Sequence, residues 1–313
     1  MKLRLLALIA LASALMLSFT VSPAGAGLGG RVALVTDCTV FASEFSAYAR
    51  LLESVQADDA HNLRREPDLG KATEIGPQEG RGDGFSEDVP TWFHIVHATS
   101  GSGNVSNKAV WHQLYVLKGT FDGFEHGGES AGFNFTMAGI TRTANDAWHN
   151  AGPGTADERA MKTALKAGGD NTLNVYLTGG AGYLGWAYFP SITQTDPILD
   201  GVVVDWRSML ETSTQYQGQY DLGKTLPHEA GHWLNLYHTF QGGCSEPGDM
   251  IPDTPAQASP TSGCPIGRDS CPAMQGLDPI HNYMDYSYDE CYYEFTPDQI
   301  LRMQDAWIEW REN

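Results

Sequence analysis

Three histidines and one glutamate fall within a single short stretch of this chain. Residues 228–238 read His228-Glu229-Ala230-Gly231-His232-Trp233-Leu234-Asn235-Leu236-Tyr237-His238. His228 and His232 are spaced by four, so on a helix both imidazoles project from one face. That spacing suits two ligands of one tetrahedral zinc ion, with Zn–N distances of about 2.0–2.1 Å. Glu229 is rotated off that face but can reach a zinc-bound water as a general base. An ordinary amphipathic helix with a surface histidine pair would show the same five residues. The third histidine raises the specificity: His238 lies six residues past His232, on the wrong face of a straight helix. It joins the site only if the helix breaks at about Asn235.

This stretch resembles the zinc motif of the metzincin metallopeptidases, H-E-x-x-H-x-x-G-x-x-H followed by a Met-turn. The Met-turn is matched by Asn282-Tyr283-Met284-Asp285-Tyr286. Within that clan, four further stretches are similar to the pappalysin/cytophagalysin family of secreted bacterial and fungal enzymes. They are Gly223-Lys224-Thr225, Tyr237-His238-Thr239-Phe240, Asp253-Thr254-Pro255 and Phe295-Thr296-Pro297. The resemblance covers residues 90–313 and implies a secreted zinc-dependent endopeptidase acting on protein or peptide substrates. It implies one catalytic zinc on His228, His232 and His238, with Glu229 as the base. Met284 would be an apolar floor beneath the metal. Tyr286 matches a tyrosine that helps stabilise the tetrahedral intermediate; a plain core tyrosine is the competing reading. The strand Gly185-Trp186-Ala187 resembles the edge strand that pairs with an extended substrate. Asp289 and Glu290 follow the Met-turn, where metzincins build the wall of the pocket just beyond the scissile bond. Glu290 there would favour Arg or Lys after the cut, against the alternative of two solvated loop acids.

One residue departs from the motif: its glycine is Asn235 here. The position calls for a left-handed turn, and Asn is the best tolerated non-glycine residue in that conformation. Two rival functions stay in view. One is a catalytically silent zinc-binding adhesion or binding module on the same fold, which would have no use for the carboxylate of Glu229. The other is suggested by Gly218 to Thr225, which fits the P-loop pattern G-x-x-x-x-G-K-[ST]. A true P-loop follows a buried strand, whereas Thr212 to Gln217 is polar and strand-poor.

Several elements must position these groups. Trp92 to His97, Phe133 to Ile140, Leu173 to Leu177, Gly185 to Phe189 and Gly201 to Val204 have strand composition. Asn107 to Phe121 and Glu158 to Lys166 have helical apolar spacing. A last helix runs from Pro297 to Arg311. After the motif helix the chain is mostly Gly-, Pro- and Cys-rich loop. With the resemblance, this gives an α/β (α+β) fold of the metzincin type: a twisted mixed sheet and helices above the cleft, and a loop-rich, disulfide-stapled subdomain below it.

The organisation begins with a leader. Lys2 and Arg4, an apolar run from Leu5 to Val21 and the small residues to Ala26 form a signal peptide, residues 1–26. Residues 27–87 read as a lead-in or propeptide, and residues 88–313 as the catalytic domain. The chain of 313 residues carries 19 Lys+Arg against 38 Asp+Glu, a formal net charge of −19. That excludes a basic footprint for nucleic acid or an anionic membrane. The expected product is a monomer, extracellular and free of the membrane once the leader is removed.

An oxidising compartment permits disulfides. Cys244, Cys264, Cys271 and Cys291 allow three pairings, between which spacing does not choose. The family resemblance implies Cys244–Cys271 and Cys264–Cys291. Cys38 is left over in the lead-in, either capping the zinc of a latent precursor as a cysteine switch or standing unpaired. Asp249, Asp253 and Thr254 offer oxygen ligands that could hold a structural calcium ion; a solvated acidic loop is the alternative. The other histidines, His94, His97, His112, His149 and His281 among them, lack ligand spacing and are expected in core or solvated roles.

Overall fold

Alternate side chains along the strands reach two different buried layers. A computed structural model describes residues 84–124 and 128–312 of the chain. The predicted leader, nearly all of the lead-in and Cys38 lie outside the described residues.

Five strands form one sheet in the order β2-β1-β3-β5-β4: β1 (Glu87–His97), β2 (Phe133–Ala144), β3 (Leu173–Thr178), β4 (Gly185–Ala187) and β5 (Val202–Asp205). The first four in that order are mutually parallel, and β4 closes the edge antiparallel to β5. The mixed sheet expected from the sequence is present. β2 runs four residues beyond its predicted end, because Thr141 to Ala144 continue the ladder against His94 to His97.

On one face, Phe93, Ile95, Val175, Leu177, Val202 and Val204 pack against α1 (Asn107–Phe121), α3 (Thr225–Trp233) and α4 (Pro297–Trp310). On the other, Val96, Tyr176, Trp186 and Val203 pack against Met161 of α2 (Ala156–Leu165). Neighbouring residues of a strand thus serve opposite layers, as the pleat requires. α2 begins two residues before its predicted start because the Thr155 hydroxyl accepts from the Glu158 amide and caps the helix.

α4 starts with a capping box in which Thr296 and Gln299 satisfy each other's backbone amides. Its far end holds α3 in place. The Arg311 guanidinium lies 3.5 Å from the Trp233 ring centre, donates to the Trp233 carbonyl, and pairs with the buried Asp200. Trp233 Nε1 donates to the same carboxylate at 3.0 Å. Below α3 the chain runs as irregular loops, crossed by the disulfides Cys244–Cys271 and Cys264–Cys291, each closing 27 residues. Their pairing is the one the family resemblance implied.

Candidate active site

The motif helix ends where the third histidine needs it to end. Leu234 caps α3, and Asn235 follows at φ +76°. The Leu236 amide donates to the Gly231 carbonyl and the Asn235 amide to the His232 carbonyl, both at 2.9 Å. These two bonds define a Schellman ending with Asn235 at the left-handed position. Arg302 of α4 donates Nε to the Asn235 carbonyl at 2.8 Å and so secures the turn from outside. The chain then reverses and brings His238 alongside the helix.

The ligand nitrogens of His228, His232 and His238 all lie within 4.8 Å of one another. His228 Nδ1 meets the Tyr283 carbonyl at 2.5 Å, and His232 Nδ1 meets the Leu236 carbonyl at 2.6 Å. A carbonyl only accepts, so each Nδ1 carries the proton and each Nε2 keeps its lone pair. His232 Nε2 and His238 Nε2 stand 3.0 Å apart. Nitrogens at two corners of a tetrahedron around zinc would stand ~3.3 Å apart. Donor type, tautomer and spacing therefore fit a zinc ion. The other cluster of potential ligands among the described residues, Cys264, His281 and Cys291, has both sulfurs in a disulfide and offers no thiolate.

Around this triad the packing is apolar and close. Phe240 stacks on His238 at 4.7 Å and Phe189 meets the His232 ring edge-on at 5.6 Å. Met284 is fully buried beneath the helix, its sulfur against the α-carbon of Gly231. The Met-turn is pinned by Asn282. Its Oδ1 accepts from the Met284 amide, and its Nδ2 donates to Gln299 in the first turn of α4. Tyr286 is half-buried, with its ring 4.9 Å from that of His238 and 5.7 Å from that of His228.

Glu229 is 99% shielded from solvent beside the triad. β4 lies against it: a β-carbon on Gly185 would come within 2.5 Å of Glu229 Oε1. Only glycine allows the strand so near the carboxylate. Of the three β4 residues predicted to meet substrate, Trp186 has its side chain on the far face, fully buried. Among the described residues β4 is the edge strand of the sheet, and its outer side is main chain.

A cavity opens beside the triad, lined by Leu184, Lys224, Glu229, Tyr286, Asp289 and Tyr292 among others. Glu290 is exposed and does not line it. A 3₁₀ turn over Asp289–Cys291 turns Asp289 inward and Glu290 outward, so of these two acids it is Asp289 that lines the cavity, together with Asp285. Asp289 Oδ2 accepts from the amides of Leu222 and Lys224. Burial, the dominant influence, pushes the pKa of Asp289 up to about 7. These contacts also dispose of the P-loop pattern. The amides of Leu222 and Lys224 go to Asp289 and that of Gly223 to the Ser208 carbonyl, which leaves no amide nest for phosphate.

In the loop below, Asp249 Oδ1 accepts from the Ile251 amide, and Asp253 Oδ2 accepts from the Asp298 amide at the start of α4. Burial raises the pKa of Asp249 to about 7. His94 and His149 are buried as expected of core histidines, His94 between Thr141 and Asn174 and His149 on the Val96 carbonyl.

Comparison with known proteins agrees with this geometry. The peptidase M43 family model, described as pregnancy-associated plasma protein-A, matches residues 170–307. An extracellular metalloprotease of Colletotrichum graminicola is 44% identical over 228 residues, 71% of this chain and 77% of that protein. One from Arthroderma benhamiae is 39% identical over 287 residues, 87% of this chain and 91% of its own length. Among solved structures, mature mirolysin of Tannerella forsythia in complex with a cleaved peptide superimposes with a TM-score of 0.59 at 30% identity, covering 70% of this chain and 90% of that one. The chain thus belongs to the peptidase M43, or pappalysin, family of secreted zinc-dependent endopeptidases.

Proposed function

We propose that His228, His232 and His238 hold the catalytic zinc and that Glu229 is the general base for peptide hydrolysis. The observation that carries this is the convergence of the three imidazoles beside a buried glutamate, after a left-handed turn at Asn235. When bound, the metal supplies Lewis acidity toward the scissile carbonyl and toward the attacking water. Glu229 takes the proton from that water and delivers it to the departing amine. Tyr286, beside two of the ligand rings, donates a hydrogen bond from its hydroxyl to the oxygen that becomes negative. The Tyr283 and Leu236 carbonyls keep the imidazoles in the ligating tautomer. Met284 keeps the floor dry.

The substrate lies extended along the free edge of β4, adding a strand to the sheet. Its first residue after the cut enters the cavity, where Asp285, Asp289 and Lys224 set the charge preference in place of Glu290. Cys38 as a zinc cap, calcium at Asp249, Asp253 and Thr254, and a monomeric mature enzyme complete the proposal. The test is cleavage of a peptide library by purified protein with and without a chelator. Chelation abolishes cleavage and added zinc restores it; cleavage that survives a zinc-free preparation overturns the reading.

A further inference from the structure

β4 and the two residues after it divide their side chains between two jobs. Gly185 lies against Glu229, Ala187 joins the core on the α3 side, and Phe189 just beyond packs on His232. Trp186 and Tyr188 point the other way, into the layer covered by α2. Both end on one carboxylate. Trp186 Nε1 donates to Glu158 Oε1 at 2.8 Å, and Tyr188 Oη donates to Glu158 Oε2 at 2.9 Å. The Gly154 amide donates to Oε2 at 2.7 Å, and Lys162 pairs with Oε1 at 3.0 Å. Lys162 Nζ also donates to the carbonyls of Leu199 and Gly201, just ahead of β5. Glu158 and Lys162 are both fully buried.

A buried ion pair contributes little net stability, because desolvation offsets most of the attraction. What this one has is direction. Four donors meet a single carboxylate, and two of them come from Trp186 on the strand that borders Glu229 and from Tyr188 just past its end. β4 is only three residues long and, among the described residues, hydrogen-bonded to the sheet on one side only, so its ladder alone holds it weakly.

We infer that Glu158 is a positioning residue for catalysis: from the far side of the sheet it fixes β4 against Glu229 and His232, and so sets the strand that aligns the substrate. The inference rests on the reading of β4 as the substrate-pairing edge.

The test uses the zinc-loaded enzyme, with Glu158→Gln and Trp186→Phe. The Gln amide would put a donor against donors, while Trp186→Phe removes one N–H and keeps the Glu158–Lys162 pair. Two readouts are taken: hydrogen exchange of the amides of residues 185–189, and kcat and KM for a long peptide against a truncated one that cannot pair along the strand. Both variants should exchange faster in β4 with α3 unchanged and zinc retained. KM for the long peptide should rise about ten-fold, the worth of one buried bond to a charged group, with kcat and the truncated peptide little changed. Should Glu158→Gln unfold more widely, shown by faster exchange in α3, Trp186→Phe carries the test. Unchanged exchange of β4 overturns the anchoring role. Faster exchange with an unchanged KM for the long peptide overturns the substrate-strand reading and the catalytic part of the inference with it. A uniform fall in kcat for both peptides means a structural role only and also overturns it.

Discussion

The sulfur of Met284 occupies the space that a β-carbon on Gly231 would need. The motif helix can therefore sit on the Met-turn only because its fourth motif residue has no side chain. Gly231→Ala should lift α3 from its floor, at a cost of about 1–3 kcal/mol for overpacking, and weaken zinc binding as His228 and His232 move. Met284→Ala in the same protein should recover part of that loss. Thermal melting of the two single variants and the double variant measures the coupling; strictly additive effects would show that the contact does not govern the helix.

Glu229→Gln removes the proposed base and leaves the three imidazoles. Zinc content should stay at the wild-type level while kcat falls by about 10²–10⁴-fold. Metal analysis beside peptide cleavage checks both at once. A variant that still turns over at the wild-type rate refutes the assignment of the base.

Asn235 stands at φ +76° with its side chain buried. Glycine adopts that conformation freely, so Asn235→Gly should bind zinc as tightly as the parent. An ordinary L-residue pays about 1–2 kcal/mol there, and a β-branched one more. Asn235→Val should therefore lose zinc affinity and activity together through displacement of His238. Zinc titration of both variants decides it.

Asp289 gives a pH dependence whose sign follows from its surroundings. Its folded pKa, about 7, lies above the value of about 3.9 in an unfolded chain. The native state keeps a proton that the unfolded chain gives up. Its contribution is thus fully present below about pH 4 and is lost as pH rises through about 7. Asp289→Asn cannot ionise, and its amide oxygen can still accept from Leu222 and Lys224. The melting temperature of Asp289→Asn relative to wild type should be more favourable at about pH 8 than at about pH 5. An equal difference at both values would mean that Asp289 is ionised throughout.

The cluster of three histidines was legible in the sequence because it is local: three histidines within eleven residues, and one residue at which the helix has to break. The long strands and helices were legible for the same reason, since each carries its own period. Which of Asp289 and Glu290 faces the pocket was not legible, because a single 3₁₀ turn without periodicity decides it. Glu158 was hidden as well. Its partners on the edge strand and just past its end are 28 and 30 residues away, and an E-x-x-x-K pair on a helix reads as a surface ion pair until the sheet buries it. The disulfide pairing came from resemblance, since four cysteines in irregular loops carry no signal of their own.

The two disulfides interleave: Cys264 falls inside the loop closed by Cys244 and Cys271, and Cys271 inside the loop closed by Cys264 and Cys291. A break in any one peptide bond between residues 244 and 291 therefore leaves both pieces covalently joined. This irregular, loop-rich segment is the kind that endopeptidases attack, and an endopeptidase is surrounded by copies of itself. A self-inflicted nick here would show as two bands only after reduction. The nicked molecule would still hold Met284 and Tyr286 on the same covalent body as the three histidines, so secretion into its own proteolytic milieu need not end its working life.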